Sequence, residues 1–281
     1  MQRFRLMIVV TVVALAASSC AYYRAAMTAE SEGAATPWWC TATEEIPVTA
    51  GPASGTVDWY AGTHKGDLPR ADCTAMSLQF DLAKAYVLQW PTRGAAEADG
   101  YREMTGYIPG MGTHHLKGGI TAAMLADQRF DPENPILDEV GLDDVFDPTK
   151  PEVLQFEGNG ANAKLVGFDY YVRTTTGRPP AGFKGNNDWW HHHPEICYRK
   201  TDAAMVSFND SDAGCTAKGG TNVNMSNYYM LHVWILDDMK FEPDVFAGMM
   251  PCISGGTAIH DPDDPCHTTS DHMAMNMDMG G

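Results

Sequence analysis

The chain has 281 residues, 36 acidic against 19 basic, and a formal net charge of −17. Such acidity argues against nucleic acid and against an anionic membrane surface as partners, and favours cations or simply solubility. Hydrophobic content is 44%, ordinary for a globular domain, and the ~240 residues beyond the N-terminal segments are enough for one large domain or two small ones.

Arg3 and Arg5 precede an almost unbroken apolar run from Leu6 to Ala17, followed by Ser18, Ser19 and Cys20. The run is shorter than the ~20 residues of a spanning helix and reads as the core of a signal peptide over residues 1–19. Small residues ending in cysteine resemble the lipobox of bacterial lipoproteins, with Ala17 where leucine is usual. Cys20 is then the lipidated residue, and the protein is exported and held at the periplasmic or cell surface by that anchor. Cleavage nearby, for example after Ala26, would instead release a free secreted protein. Residues 20–37, rich in Ala, Ser, Thr and Glu, read as a flexible tether.

From Ala75 to Gln89 the residues Met76, Phe80, Ala83 and Val87 recur at helical spacing, and Pro91 stops the helix. A second, weaker helix is predicted over Gly94 to Met104. The segment "GYIPGMGTHHLKGG" carries His114 and His115 between glycines, where backbone can approach a ligand closely. Residues 131–150 are acidic and proline-punctuated, and read as a surface loop. Glu152–Glu157 is a short strand candidate. In Ala163–Arg173, Val166, Phe168, Tyr170 and Val172 alternate onto one face as a half-buried strand requires.

Stretches 158–162, 174–188 and 209–226 read as loops. Within "DWWHHHPEICY", an extended backbone projects His191 and His193 to one side and His192 to the other. Tyr228–Leu236 is a third strand. Its alternation puts His232 with Met230 and Trp234, opposite Leu231, Val233 and Ile235. The expected fold is α+β: N-terminal helices packed on a disulfide-stapled, antiparallel β-rich sandwich or barrel. Residues 38–252 form a single domain, and residues 253–281 an acidic C-terminal tail.

Six cysteines remain besides Cys20, and an even set in an exported chain reads as three disulfides. Of the 15 possible pairings, neighbour order favours Cys40–Cys73, Cys197–Cys215 and Cys252–Cys266. Metal thiolates are the competing use, against which stands the lack of any CxxC pair.

A mid-strand histidine alone is more often a hydrogen-bonded core residue than a ligand, and a HisHis or HisHisHis run can be a solvated loop. Together, an H-x-H element and a distant strand histidine are how β-rich proteins build three-nitrogen metal sites. Neutral imidazole suits Zn, Cu, Fe and Ni, with carboxylates completing the shell. The candidate ligands are therefore His114, His191, His193 and His232, with Glu152 and Glu157 as carboxylates. In the tail, His272, Met273, Met275, Met277 and Met279 alternate with small or polar residues, and soft thioethers select Cu(I).

The segments "AAEADGY", "PGMGTHH", "DPTKPEVLQFE", "KLVGFDYYV", "WHHHPEIC" and "YYMLHVWIL" occur in that order. They resemble the pattern of a family of uncharacterised exported bacterial proteins, over roughly residues 74–250. The resemblance singles out His114, Glu152, Glu157, His191, His193, Cys197 and His232. His115 stands where that family has tyrosine. What this implies is a shared site without a named reaction.

The leading functional expectation is an exported, lipid-anchored transition-metal-binding protein in metal homeostasis or delivery, with copper favoured over zinc or iron. A metal-dependent extracytoplasmic enzyme, hydrolase or oxygenase, is the alternative, and a structural surface lipoprotein a third. There is no GxSxG, Walker loop, dinucleotide fingerprint or HExxH.

Overall fold

Alternating side chains give a central antiparallel sheet two different faces, and that difference determines where the site lies. The computed structural model describes residues 37–40, 58–61, 67–126, 140–185, 187–208, 210–235, 245–246, 250 and 253. The segment read as a signal peptide, Cys20, residues 21–36 of the segment read as a tether, Cys252, Cys266 and the Met/His tail lie outside the described residues.

The elements run from a 3-10 turn at Trp38–Cys40 through β1 (Asp58–Ala61), α1 (Arg70–Val87), α2 (Arg93–Ala98), β2 (Tyr101–Glu103) and β3 (Thr113–Lys117). There follow α3 (Ala122–Ala126), β4 (Val153–Phe156), β5 (Leu165–Arg173), β6 (Trp189–His192) and β7 (Glu195–Arg199). The last are β8 (Met205–Phe208), α4 (Asp212–Ala217), β9 (Gly220–Asn224) and β10 (Tyr228–Trp234).

Seven strands form one sheet in the order β1-β6-β10-β5-β4-β3-β2, and three form a second in the order β8-β7-β9. Every pairing is antiparallel. β1 and β2 are the unjoined edges of the large sheet, so among the described residues it stays open and the expected barrel does not form. The α+β class and the antiparallel pairing are as expected.

Helix α1 forms because Met76, Phe80, Ala83 and Val87 lie on one stripe, and all four are buried. They pack against Leu154, Phe156, Phe168, Tyr170, Val172, Leu231 and Val233, which are one face of β4, β5 and β10. The Cys40–Cys73 disulfide ties the preceding turn to α1, where Trp39 stacks on Phe80 at 5.3 Å. The opposite face of the sheet, with Leu116, Val153, Tyr171 and Met230, shares a second core with Ile196, Tyr198 and Val223 of the small sheet. The Cys197–Cys215 disulfide pins β7 to α4.

Two segments depart from the sequence reading. The helix expected over 94–104 ends at Ala98, because Gly100 takes φ +91° and turns the chain into β2. The loop expected over 209–226 contains α4 and β9. Its Ser211 accepts a hydrogen bond from Gly214 N and so caps the helix, a signal hidden among glycines and asparagines.

Candidate metal centre

Directly opposed residues in an antiparallel pair share a face, and so do alternate residues along a strand. Asp169 on β5 is opposite His232 on β10 and Val153 on β4. Gln155 on β4 is opposite His114 on β3 and Gly167 on β5. Met230 on β10 is opposite His191 on β6. Five adjacent strands therefore each place one polar residue on the same face: His191, His232, Asp169, Gln155 and His114.

All five are buried, Asp169 completely at 0% exposure. Asp169 Oδ2 lies 3.6 Å from His114 Nε2, and Oδ1 lies 3.9 Å from His232 Nε2. Both distances are too long for hydrogen bonds, and neither oxygen has a hydrogen-bond partner among the described residues. Unpaired buried carboxylate oxygens are costly unless something else meets them. Metal–ligand bonds of ~2.0–2.2 Å separate the ligands of a tetrahedral ion by ~3.3–3.6 Å. His114, Asp169 and His232 each offer one atom within 4.8 Å of the others, so this buried group can hold a metal ion.

Surrounding groups orient the imidazoles. Thr105 Oγ1 takes the backbone N–H of His114 and stands 3.0 Å from its Nδ1. With Nδ1–H donating to that hydroxyl, the Nε2 lone pair faces Asp169, the tautomer a metal requires. In the metal-free protein Gln155 Nε2, 3.0 Å away, donates to that lone pair, a bond that metal binding would replace. His191 packs edge-on against His232 at 4.8 Å and against His193 at 5.2 Å between ring centroids. His193 in turn stacks on Phe208 at 4.3 Å.

The protein groups by themselves favour neutral forms. Burial holds His114 and His191 well below the ordinary histidine value, and neighbouring imidazoles add to the effect. His193 is pushed down to about 3 for the same reasons. Burial raises Asp169 well above the carboxylate range, and the charge of Glu152 raises it further. Neutral imidazole is the ligand form, and a cation would supply the charge that lets Asp169 ionise.

The predicted ligands divide. His114 and His232 join the three-residue group, while His191 and His193 stand beside it through ring contacts. No family model, curated protein or solved structure matches the chain. The carboxylate of the group is Asp169, not Glu152 or Glu157. Glu152 Oε2 accepts the backbone N–H of Tyr171 at 3.0 Å, and burial pushes its carboxyl up to about 8. Glu157 Oε1 accepts the backbone N–H of Lys164 at 3.2 Å, at the far end of β4. His115 points to the opposite face, edge-on to Phe156 at 5.1 Å. His192 stacks on Tyr229 at 5.1 Å.

Sequence reasoning missed Asp169, Gln155 and Thr105. The signal for Asp169 was present: an ionisable residue inside "LVGFDYYVR", a strand whose first eight residues are all buried, must have a partner, a cation or a proton. Gln155 and Thr105 left no comparable trace.

Proposed function

We propose that the chain is an exported transition-metal-binding protein whose centre is built on His114, Asp169 and His232, and that it serves metal homeostasis or delivery. The observation that carries this reading is Asp169: fully buried, both oxygens without a hydrogen bond among the described residues, and flanked by two histidine nitrogens. Its two disulfides fit an oxidising compartment. The N-terminal apolar run ending in Cys20 supports export and attachment to a membrane through a lipid alone.

The metal proposed first is copper, on the strength of the Met273–Met279 alternation with His272. The nitrogen and oxygen donors of the buried group also accept zinc and iron. Elemental analysis of the full chain, purified from the periplasm without chelator or histidine tag, tests the reading. Stoichiometric metal that disappears in His114→Ala and His232→Ala is expected. Metal-free protein that binds none of copper, zinc or iron on titration would overturn it.

One observation favours a second reading, a metal-dependent extracytoplasmic enzyme. Two histidines and one carboxylate leave coordination positions open for water or substrate, as hydrolytic zinc and oxygen-activating iron sites do. Turnover of ester, phosphoester or oxygen-dependent substrates by the loaded protein separates it from a carrier.

A further inference from the structure

His191 and His193 are buried beside the triad and outside its reach. Ligand atoms of one ion lie at most ~4.4 Å apart, twice a metal–ligand bond. Among the described residues only His114, Asp169 and His232 bring ligand atoms together within 4.8 Å. An ion held by that triad leaves the other two histidines out of its shell. Burying polar rings costs free energy, and the order of these rings indicates what they do.

From the triad outward they form an unbroken row. Ring centroids are 4.8 Å apart from His232 to His191 and 5.2 Å from His191 to His193, and His193 stacks on Phe208 at 4.3 Å. Phe208 is half-buried on β8, an outer strand of the small sheet among the described residues. Exposure follows the same direction: His191 is 1% exposed, His114 and His232 are 2%, and His193 is 9%. The row therefore leads from the sealed centre to the margin of the small sheet.

Burial, helped by neighbouring imidazoles, keeps His191 and His193 unprotonated, so each has a lone pair for a cation. Glu195, two residues beyond His193, and Asp212, whose charge reaches it, add negative potential at the outer end of a chain of net charge −17. A buried metal centre needs an entry path, and neutral ligands in sequence, approached through an acidic surface, provide one.

We propose that His193 and His191 are the entry path of the metal: an ion from solvent binds His193, passes to His191 and then to His232, where Asp169 and His114 complete its shell. At each step one nitrogen replaces another on the ion, and water fills the remaining positions. This rests on the metal-binding reading above. A path joins the same two end states in both directions, so these histidines set how fast the centre fills and empties, not how tightly it holds.

The test follows Co(II) binding to the full chain by its visible absorption in stopped flow, counting only the signal that His232→Ala removes. Nitrogen and oxygen donors bind this ion, and the thioether-rich tail competes poorly for it. Release is measured by capture with excess chelator. His191→Phe and His193→Phe keep a ring at each position and remove its nitrogens. Each should slow loading and release together by ~10-fold, as loss of one charged contact in the transition state implies, with Kd unchanged. Unaltered rates, or a weaker Kd from faster release with loading unaltered, overturn the path and leave the triad standing. A native chain that binds no cobalt overturns the metal-binding reading as well. If one variant fails to fold, the other decides, because each histidine is a required step.

Discussion

Gly167 and Gln155 are paired across β4 and β5, and the missing side chain at Gly167 is what lets the Gln155 carboxamide reach His114. A Cβ at residue 167 would collide with Gln155 Oε1 and sit 2.9 Å from the carbonyl oxygen of Val233. Gly167→Ala should therefore displace the carboxamide that lies against the ligand nitrogen of His114. Changing an outer-shell partner of a ligand histidine moves metal affinity by ~10–100-fold, and overpacking should cost stability by ~1–3 kcal/mol. Competition titration against a chelator of known affinity, beside a melting curve, checks both. Unchanged affinity would remove Gln155 from the centre.

Asp169→Asn separates the metal's contribution from that of the fold. An unpaired buried carboxyl does little for the metal-free protein, so the neutral isostere should alter its stability by no more than ~1 kcal/mol. The wild type should gain ~2.7 kcal/mol when free metal is 100 times its Kd, and the variant should gain none. Thermal unfolding with and without metal gives the comparison. An equal metal-dependent rise in both proteins would show that binding lies elsewhere.

Glu152 gives a pH dependence with a definite sign. Its carboxyl is raised from 4.5 to about 8 by burial, so the folded state holds a proton that the unfolded state releases. Its stabilising contribution is complete below pH ~4.5 and is lost as pH rises towards 8, by an amount on the order of a few kcal/mol. In chelator the buried histidines, held below the ordinary value, add stability as pH rises to ~6.5, so the fall in wild-type urea midpoints should show between pH ~6.5 and 8, and Glu152→Gln should flatten it. Parallel slopes would assign the effect to other groups.

The tail separates copper handling from a generic metal site. Ending the chain after Cys266 removes His272 and the four methionines. It should lower Cu(I) stoichiometry while leaving both disulfides and the buried centre unchanged. Equal Cu(I) uptake by full-length and shortened protein would leave the nitrogen and oxygen donors alone to choose the metal.

How much of this was legible depended on whether a residue's role was local or set by pairing. The stripe Met76, Phe80, Ala83 and Val87 and the alternation around His232 are local patterns, and both appear as read. Neighbour order also picked out Cys40–Cys73 and Cys197–Cys215. The carboxylate of the buried group went unread because Glu152 and Glu157 flank β4, whereas the residue beside the histidines is set by the β5–β10 register, which pairs Asp169 with His232. Register between strands 63 positions apart in sequence leaves no mark on either strand alone. β2 was missed because three residues are too few to show a period.

A one-residue slip between neighbouring strands sends every side chain to the opposite face. Donors drawn singly from β10, β5 and β3 would then point towards α1, and no cluster would survive. β3 and β10 are more than a hundred positions apart in sequence, so their joining is a late, long-range event in folding. Metal uptake by a newly made chain would thus report that the sheet has set its register, and a misaligned chain would be one that cannot be loaded.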